Sequence, residues 1–160
     1  MENWKRYDKL IDDLKNGIGL VKVNAAIELG KLKEKKAIPV LVDALAYSNM
    51  AVRSNAAFAL GELGAREAVP GLVALLKDPE ERVRKSAAKA LGMIGAPEAV
   101  APLISLLDIE KTRAVLKSAL RSLGQMGDSK ALPAVDRFAS NPDLTLADTA
   151  KQASENLKKK

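Results

Sequence analysis

The 160-residue chain is 48% hydrophobic, 29% charged and only 3% aromatic, with no cysteine and no histidine. Those two absences exclude a thiol nucleophile, a disulfide, an iron–sulfur cluster, a Cys/His zinc site and any catalytic triad that moves its proton through imidazole. Lys and Arg outnumber Asp and Glu by 26 to 20, and the excess is uneven: residues 1–80 carry 12 basic and 11 acidic side chains, residues 81–160 carry 14 and 9.

The length fits one domain able to bury its own core. The opening Met1–Tyr7 has no apolar signal stretch, and no run reaches the ~18 apolar residues of a membrane span. A cytoplasmic chain without membrane contact is the expectation. Residues 3–15, with Trp4, Tyr7, Leu10, Ile11 and Leu14, read as one amphipathic helix.

A repeat follows. Leu29-Gly30, Leu60-Gly61, Leu91-Gly92 and Leu123-Gly124 recur at offsets of 31, 31 and 32. Seven residues beyond each glycine stand Ala37-Ile38-Pro39, Ala68-Val69-Pro70, Ala99-Val100-Ala101 and Ala131-Leu132-Pro133. Upstream, Lys22, Arg53, Arg84 and Leu116 share one slot. In each unit a first helix carries an apolar face such as Val52, Ala56, Ala59, Leu60 and Leu63. Gly64 is placed as its left-handed cap, and Gly61 where a neighbouring helix comes close. A second helix opens at Pro39, Pro70 or Pro133, where a missing N–H is tolerated. Asp78-Pro79-Glu80-Glu81 and Asn141-Pro142-Asp143 read as helix starts, with Asp78 and Asn141 as N-caps. Leu146, Ala150, Ala153 and Leu157 form a last lone helix. One hairpin cannot hide both apolar faces, so the units must stack. The expected organisation is ten helices in one domain: a capping helix in 1–19, repeats at 20–49, 50–79, 80–110 and 111–142, and a capping helix with a basic tail in 143–160.

The pattern Val-Arg-x-x-Ala-Ala-x-Ala-Leu-Gly-x-Leu-Gly, followed by Glu-Ala-Val-Pro-x-Leu, resembles the HEAT repeat in the short form named after phycobilisome lyases. The resemblance implies an all-α, right-handed α-solenoid over the whole chain. It also makes phycobilin-lyase-like chromophore handling conceivable. Iron-binding HEAT-like enzymes use His-Glu pairs, which a chain without histidine cannot supply.

In a stack, equivalent positions form columns. The second helices are expected to line the concave side, and the contacts chosen there for a protein or peptide partner are Val40, Asp43, Tyr47, Ala74, Ser105 and Arg137. These belong to a short-chained, weakly charged row that includes Gly71, Asp78, Pro102, Ile109 and Ala134. The outward column of the first helices runs from apolar Val23, Ile27 and Phe58, with Ser54 between them, to basic Lys85, Lys89, Lys117 and Arg121. That convex patch could attract nucleic acid or an acidic partner, although it lacks interleaved aromatics for base stacking. The slot of Lys22, Arg53 and Arg84 is assigned to pairing with loop acids such as Asp78. Asp108 and Glu110 are placed in a loop, and no two carboxylates are fixed opposite each other, so catalysis is not expected. The reading is a non-catalytic scaffold for a protein or peptide, without cofactor or metal, monomeric or weakly dimeric.

Overall fold

The computed structural model describes residues 3–159, so the outermost residues of both expected caps, including Lys160 of the basic tail, lie outside the described residues. Ten α-helices follow one another: α1 Asn3–Asn16, α2 Leu20–Leu32, α3 Ile38–Ala44, α4 Met50–Glu62, α5 Val69–Leu75, α6 Glu81–Ile94, α7 Val100–Ile109, α8 Arg113–Met126, α9 Leu132–Asp136 and α10 Leu144–Lys158. A 3-10 turn leads into each second helix (α3, α5, α7, α9). No strand occurs among the described residues, and no helix is long and apolar enough to cross a membrane. The architecture is an α-solenoid.

The layers differ in how they pack. Helices α2, α4, α6, α8 and α10 stack directly on one another, whereas second helices approach each other mainly through side chains. Glycine makes the first layer possible. A Cβ on Gly61 would stand 2.8 Å from the Cα of Ala90, one on Gly92 2.8 Å from that of Ser122, and one on Gly124 2.8 Å from that of Ala153. Close backbone approach therefore offsets the helix penalty of ~1 kcal/mol that each glycine carries. Leu14, Leu29, Leu41, Leu60, Leu72, Leu91, Leu103, Leu120 and Leu157 are fully buried along the stack. Each contributes about 1.5–3 kcal/mol of burial relative to exposure.

Helix ends follow the expected chemistry with one correction. Gly64, Gly95 and Gly127 have φ of 62, 70 and 71°, as left-handed caps require. Asp78 and Asn141 are not N-caps, however. The caps are Glu80, which makes no side-chain capping bond, and Asp143, which accepts from the Thr145 and Leu146 N–H groups. Asp78 Oδ1 and Asn141 Oδ1 instead accept from the Glu80 and Asp143 N–H groups two residues on, both at 2.9 Å. Proline one position later keeps the preceding residue out of the α region, so the turn is completed before the helix begins.

Candidate functional site

A groove between α5 and α7 is the site the fold builds on its second-helix face. It encloses about 370 Å³ and is lined by Val73, Leu76 and Lys77 on one side and by Ala101, Pro102, Ser105, Leu106 and Ile109 on the other. Its physical origin is local. Ala101, Pro102 and Ser105 are too short to fill the space between two helices that do not touch through their backbones. The α7 helix runs 10 residues where α3 and α5 run 7, and its extra turn carries Ile109, 66% exposed. Val73 and Pro102 also border an adjoining depression of about 390 Å³. An Arg66–Glu98 ion pair of 3.5 Å stands at that end, and Lys77 lies in the main groove. The result is an apolar trough with charges on its border, a surface suited to receiving apolar side chains from a partner.

The expected contacts do not all meet there. Ser105 lines the groove together with Pro102 and Ile109. Ala74 is exposed on α5 outside the groove lining, and Asp43 is exposed on α3. Tyr47 is half-buried with the Lys22 ammonium 4.5 Å from its ring centroid. Arg137 is exposed and bonds Asp108 at 2.7 Å. Val40 corrects the expectation: it is 5% exposed and packs into the core, because its turn faces the interior of the hairpin. Ala134, at 9%, and Asp78, also 9%, are likewise buried. The lining residues that sequence reasoning missed are Val73, Leu76, Lys77, Ala101 and Leu106. The 32-residue offset of the last unit was their one available signal, since the added residue is what lengthens α7.

The acids beside the groove, Asp108 and Glu110, are engaged in ion pairs. Asp108 lies within α7 rather than in a loop. Glu110 follows the helix and receives Arg84 Nε at 2.7 Å. Burial alone would push the Glu110 carboxyl up. The Arg84 guanidinium and the N–H groups of Thr112 and Lys111 outweigh it and bring it down to about 2. Arg53 holds Asp78 in the same way one unit earlier.

On the opposite face, Val23 and Ser54 leave the expected outward column. Val23 is 9% exposed and Ser54 4%, the latter sharing a 2.8 Å hydrogen bond with Ser86. Lys85, Lys117 and Arg121 come together in one open depression between α6 and α8, with Arg113 beside them. Lys89 stands apart, its ammonium 4.9 Å from the Phe58 ring centroid.

The family model for HEAT repeats matches residues 7–78, 47–115 and 69–155. No curated protein matches the sequence significantly. Among solved structures, the complex of CpcE and CpcF of phycocyanin lyase from Nostoc sp. PCC7120 is similar at 30% identity with a TM-score of 0.87. That match takes in 96% of this chain, which spans 65% of the other. A designed armadillo repeat protein in complex with the peptide (KR)4 is similar in fold, at 21% identity and a TM-score of 0.77, over 96% of this chain and 82% of the other.

Proposed function

The chain belongs to the HEAT-repeat family, and from that premise we propose that it is a non-catalytic scaffold that binds a protein or peptide partner on its second-helix face. The observation that carries this reading is the α5–α7 groove, apolar along its floor and charged on its border. Its partner is a helix or extended segment that offers two or three apolar side chains to the space beside Ser105 and Ile109. Burying such groups drives association, and the stack holds the receiving surface in place beforehand. Asp43, Tyr47, Ala74 and Arg137 extend the contact along the same row. The designed armadillo complex supports the reading to the extent that a stack of this fold receives a peptide. A cytoplasmic, monomeric or weakly dimeric protein without cofactor belongs to the same reading.

Photocrosslinkers placed at Ser105 and, as a remote control, at Lys130 test it. Ser105 is expected to capture a discrete partner that Lys130 does not, and Ala101→Arg or Ile109→Glu is expected to abolish capture through Ser105 without lowering thermal stability. Capture that survives both substitutions would overturn the groove as the site.

The similarity to a phycocyanin lyase complex favours one second reading, chromophore handling. It requires a linear tetrapyrrole added to the protein to shift its absorbance band. An unshifted spectrum at saturating protein removes it.

A further inference from the structure

We propose that the depression between α6 and α8, on the face opposite the groove, is a docking site for a short acidic polypeptide segment rich in aspartate and glutamate. It is an open concavity of about 690 Å³ lined by Lys85, Arg113, Lys117 and Arg121, with the hydroxyl-bearing Ser118 and Thr145 among them. No carboxylate lines it.

What sets this cluster apart from other unpaired surface cations is that three of them face one concavity. Arg6, Arg53, Arg66, Arg84, Arg113 and Arg137 each have a carboxylate partner. Lys85, Lys117 and Arg121 have no ion pair or hydrogen bond among the described residues. Arg113 shares its charge with Asp143, so three uncompensated cations face one concavity. Stacking holds them there, because Lys85 and Lys117 occupy equivalent repeat positions on adjacent helices. Glu81, one turn before Lys85 on α6, and Asp143, paired with Arg113, offset this charge only in part, and an anionic ligand would relieve the rest.

The extent of the patch selects the class of anion. The repeat register that aligns Lys85 with Lys117 places Ser54 on one side and exposed Asp148 on the other. The register of Lys89 and Arg121 places Phe58 and Gln152 likewise. The basic surface is thus about two repeats wide and closes at a carboxylate. A duplex crossing the face would bring its phosphates against Asp148, and the depression has no aromatic side chain on which a base could stack. A segment of a few acidic residues is short enough to lie over Lys85, Lys117 and Arg121 between Glu81 and Asp148, and it needs no stacking platform.

The test uses the full chain and a fluorescein-labelled octaglutamate peptide, with a short DNA duplex as a parallel probe. Wild type is expected to bind the peptide at low salt and to lose it as salt rises. Lys117→Glu with Arg121→Glu is expected to weaken binding at least about tenfold, whereas Lys33→Glu with Lys35→Glu, an equal change of net charge at exposed positions far along the stack, leaves it within about twofold. Thermal melts verify folding, and Lys85→Gln with Lys117→Gln gives a milder second variant. Absent binding at low salt, equal losses in the two reversed-charge variants, or tighter binding of the duplex through Lys117 and Arg121 would each overturn the proposal.

Discussion

Arg53 reaches across the repeat boundary to Asp78, placing Nε 2.8 Å from Oδ2 and Nη2 3.0 Å from Oδ1, while Nη1 donates to the Tyr47 and Ser48 carbonyls. Their side chains are only 13% and 6% exposed. One guanidinium thus ties the loop before its own helix to the loop before the next. Breaking a pair this enclosed leaves a charge without its partner, so Asp78→Ala is expected to lower unfolding free energy by about 2–4 kcal/mol. Arg53→Ala added to it should cost little more, because the interaction is already gone. Denaturant titration of the two single variants and the double variant measures this, and strictly additive losses would show the pair to be uncoupled.

Arg84 and Glu110 repeat the device one unit on, with Nε to Oε2 at 2.7 Å. Burial opposes ionisation of Glu110, but Arg84 and two backbone N–H groups overcome it and lower the carboxyl from its ordinary 4.5 to about 2. Asp78 is shifted down too, by Arg53 and the Glu80 N–H acting against burial. A carboxyl that holds its proton less tightly when folded adds stability above its unfolded pKa and loses it as pH falls toward the folded value. Stability should therefore decline between about pH 4.5 and pH 2. In Glu110→Gln it should start lower at neutral pH and decline less steeply. Parallel pH profiles for the two proteins would count against this assignment.

The glycine contacts differ in a way that paired substitutions can read. A Cβ on Gly30 would meet mainly the Cβ of Ala59, at 2.8 Å, with its Cα at 3.4 Å; one on Gly61 would meet the Cα of Ala90 itself at 2.8 Å. Gly30→Ala and Gly61→Ala should each destabilise, since overpacking of about 1–3 kcal/mol exceeds the gain in helix propensity. Adding Ala59→Gly should restore most of the Gly30→Ala loss, because it removes the clashing methyl. Adding Ala90→Gly should restore little, because backbone remains in the way. Equal rescue at both sites, seen in thermal melts, would contradict the backbone contact.

What the sequence revealed follows from what repeats. Gly61 against Ala90, Gly64 in the left-handed region and Arg53 beside Asp78 recur at a fixed period, so the sequence alone exposes them. Val40 is buried although its register puts it on the outer row, because a short second helix of 7 residues has too few turns for its periodicity to separate inner from outer positions. The groove is not legible from the repeat because it arises from a departure from it. The offset of 32 rather than 31 moves the acid that receives the repeat-slot arginine from 25 residues downstream, as in Arg53–Asp78, to 26, as in Arg84–Glu110. The position equivalent to Asp78 becomes Ile109, free of any ion pair and exposed beside Ser105. Arg113, Lys117 and Arg121 share one face of α8 by their four-residue spacing, which the sequence records; the approach of Lys85 from α6 is tertiary, since it needs the two helices to pack side by side.

Lys33 is the other departure from the repeat. It ends α2 at φ 51° and ψ 29°, where the corresponding helices end at Gly64, Gly95 and Gly127. It is the one non-glycine residue with positive φ among the described residues. An L-residue in this region pays about 1–2 kcal/mol in contact between Cβ and its own backbone, part of which glycine recovers in exchange for a more disordered unfolded chain. The Lys33 side chain is exposed and makes no hydrogen bond or ion pair among the described residues, while its N–H bonds the Gly30 carbonyl at 3.2 Å, a bond that glycine retains. Lys33→Gly is therefore expected to stabilise the protein by up to about 1 kcal/mol. Lys33→Ala, which keeps a Cβ, should not. The converse substitution Gly95→Ala should destabilise by a similar amount, since its added Cβ meets no neighbouring atom within 4 Å and only the backbone conformation is strained. Hydrogen exchange of the α2 amides should slow in Lys33→Gly, locating the gain in the first repeat. A Lys33→Gly protein no more stable than Lys33→Ala would show that the left-handed turn carries no strain at this position.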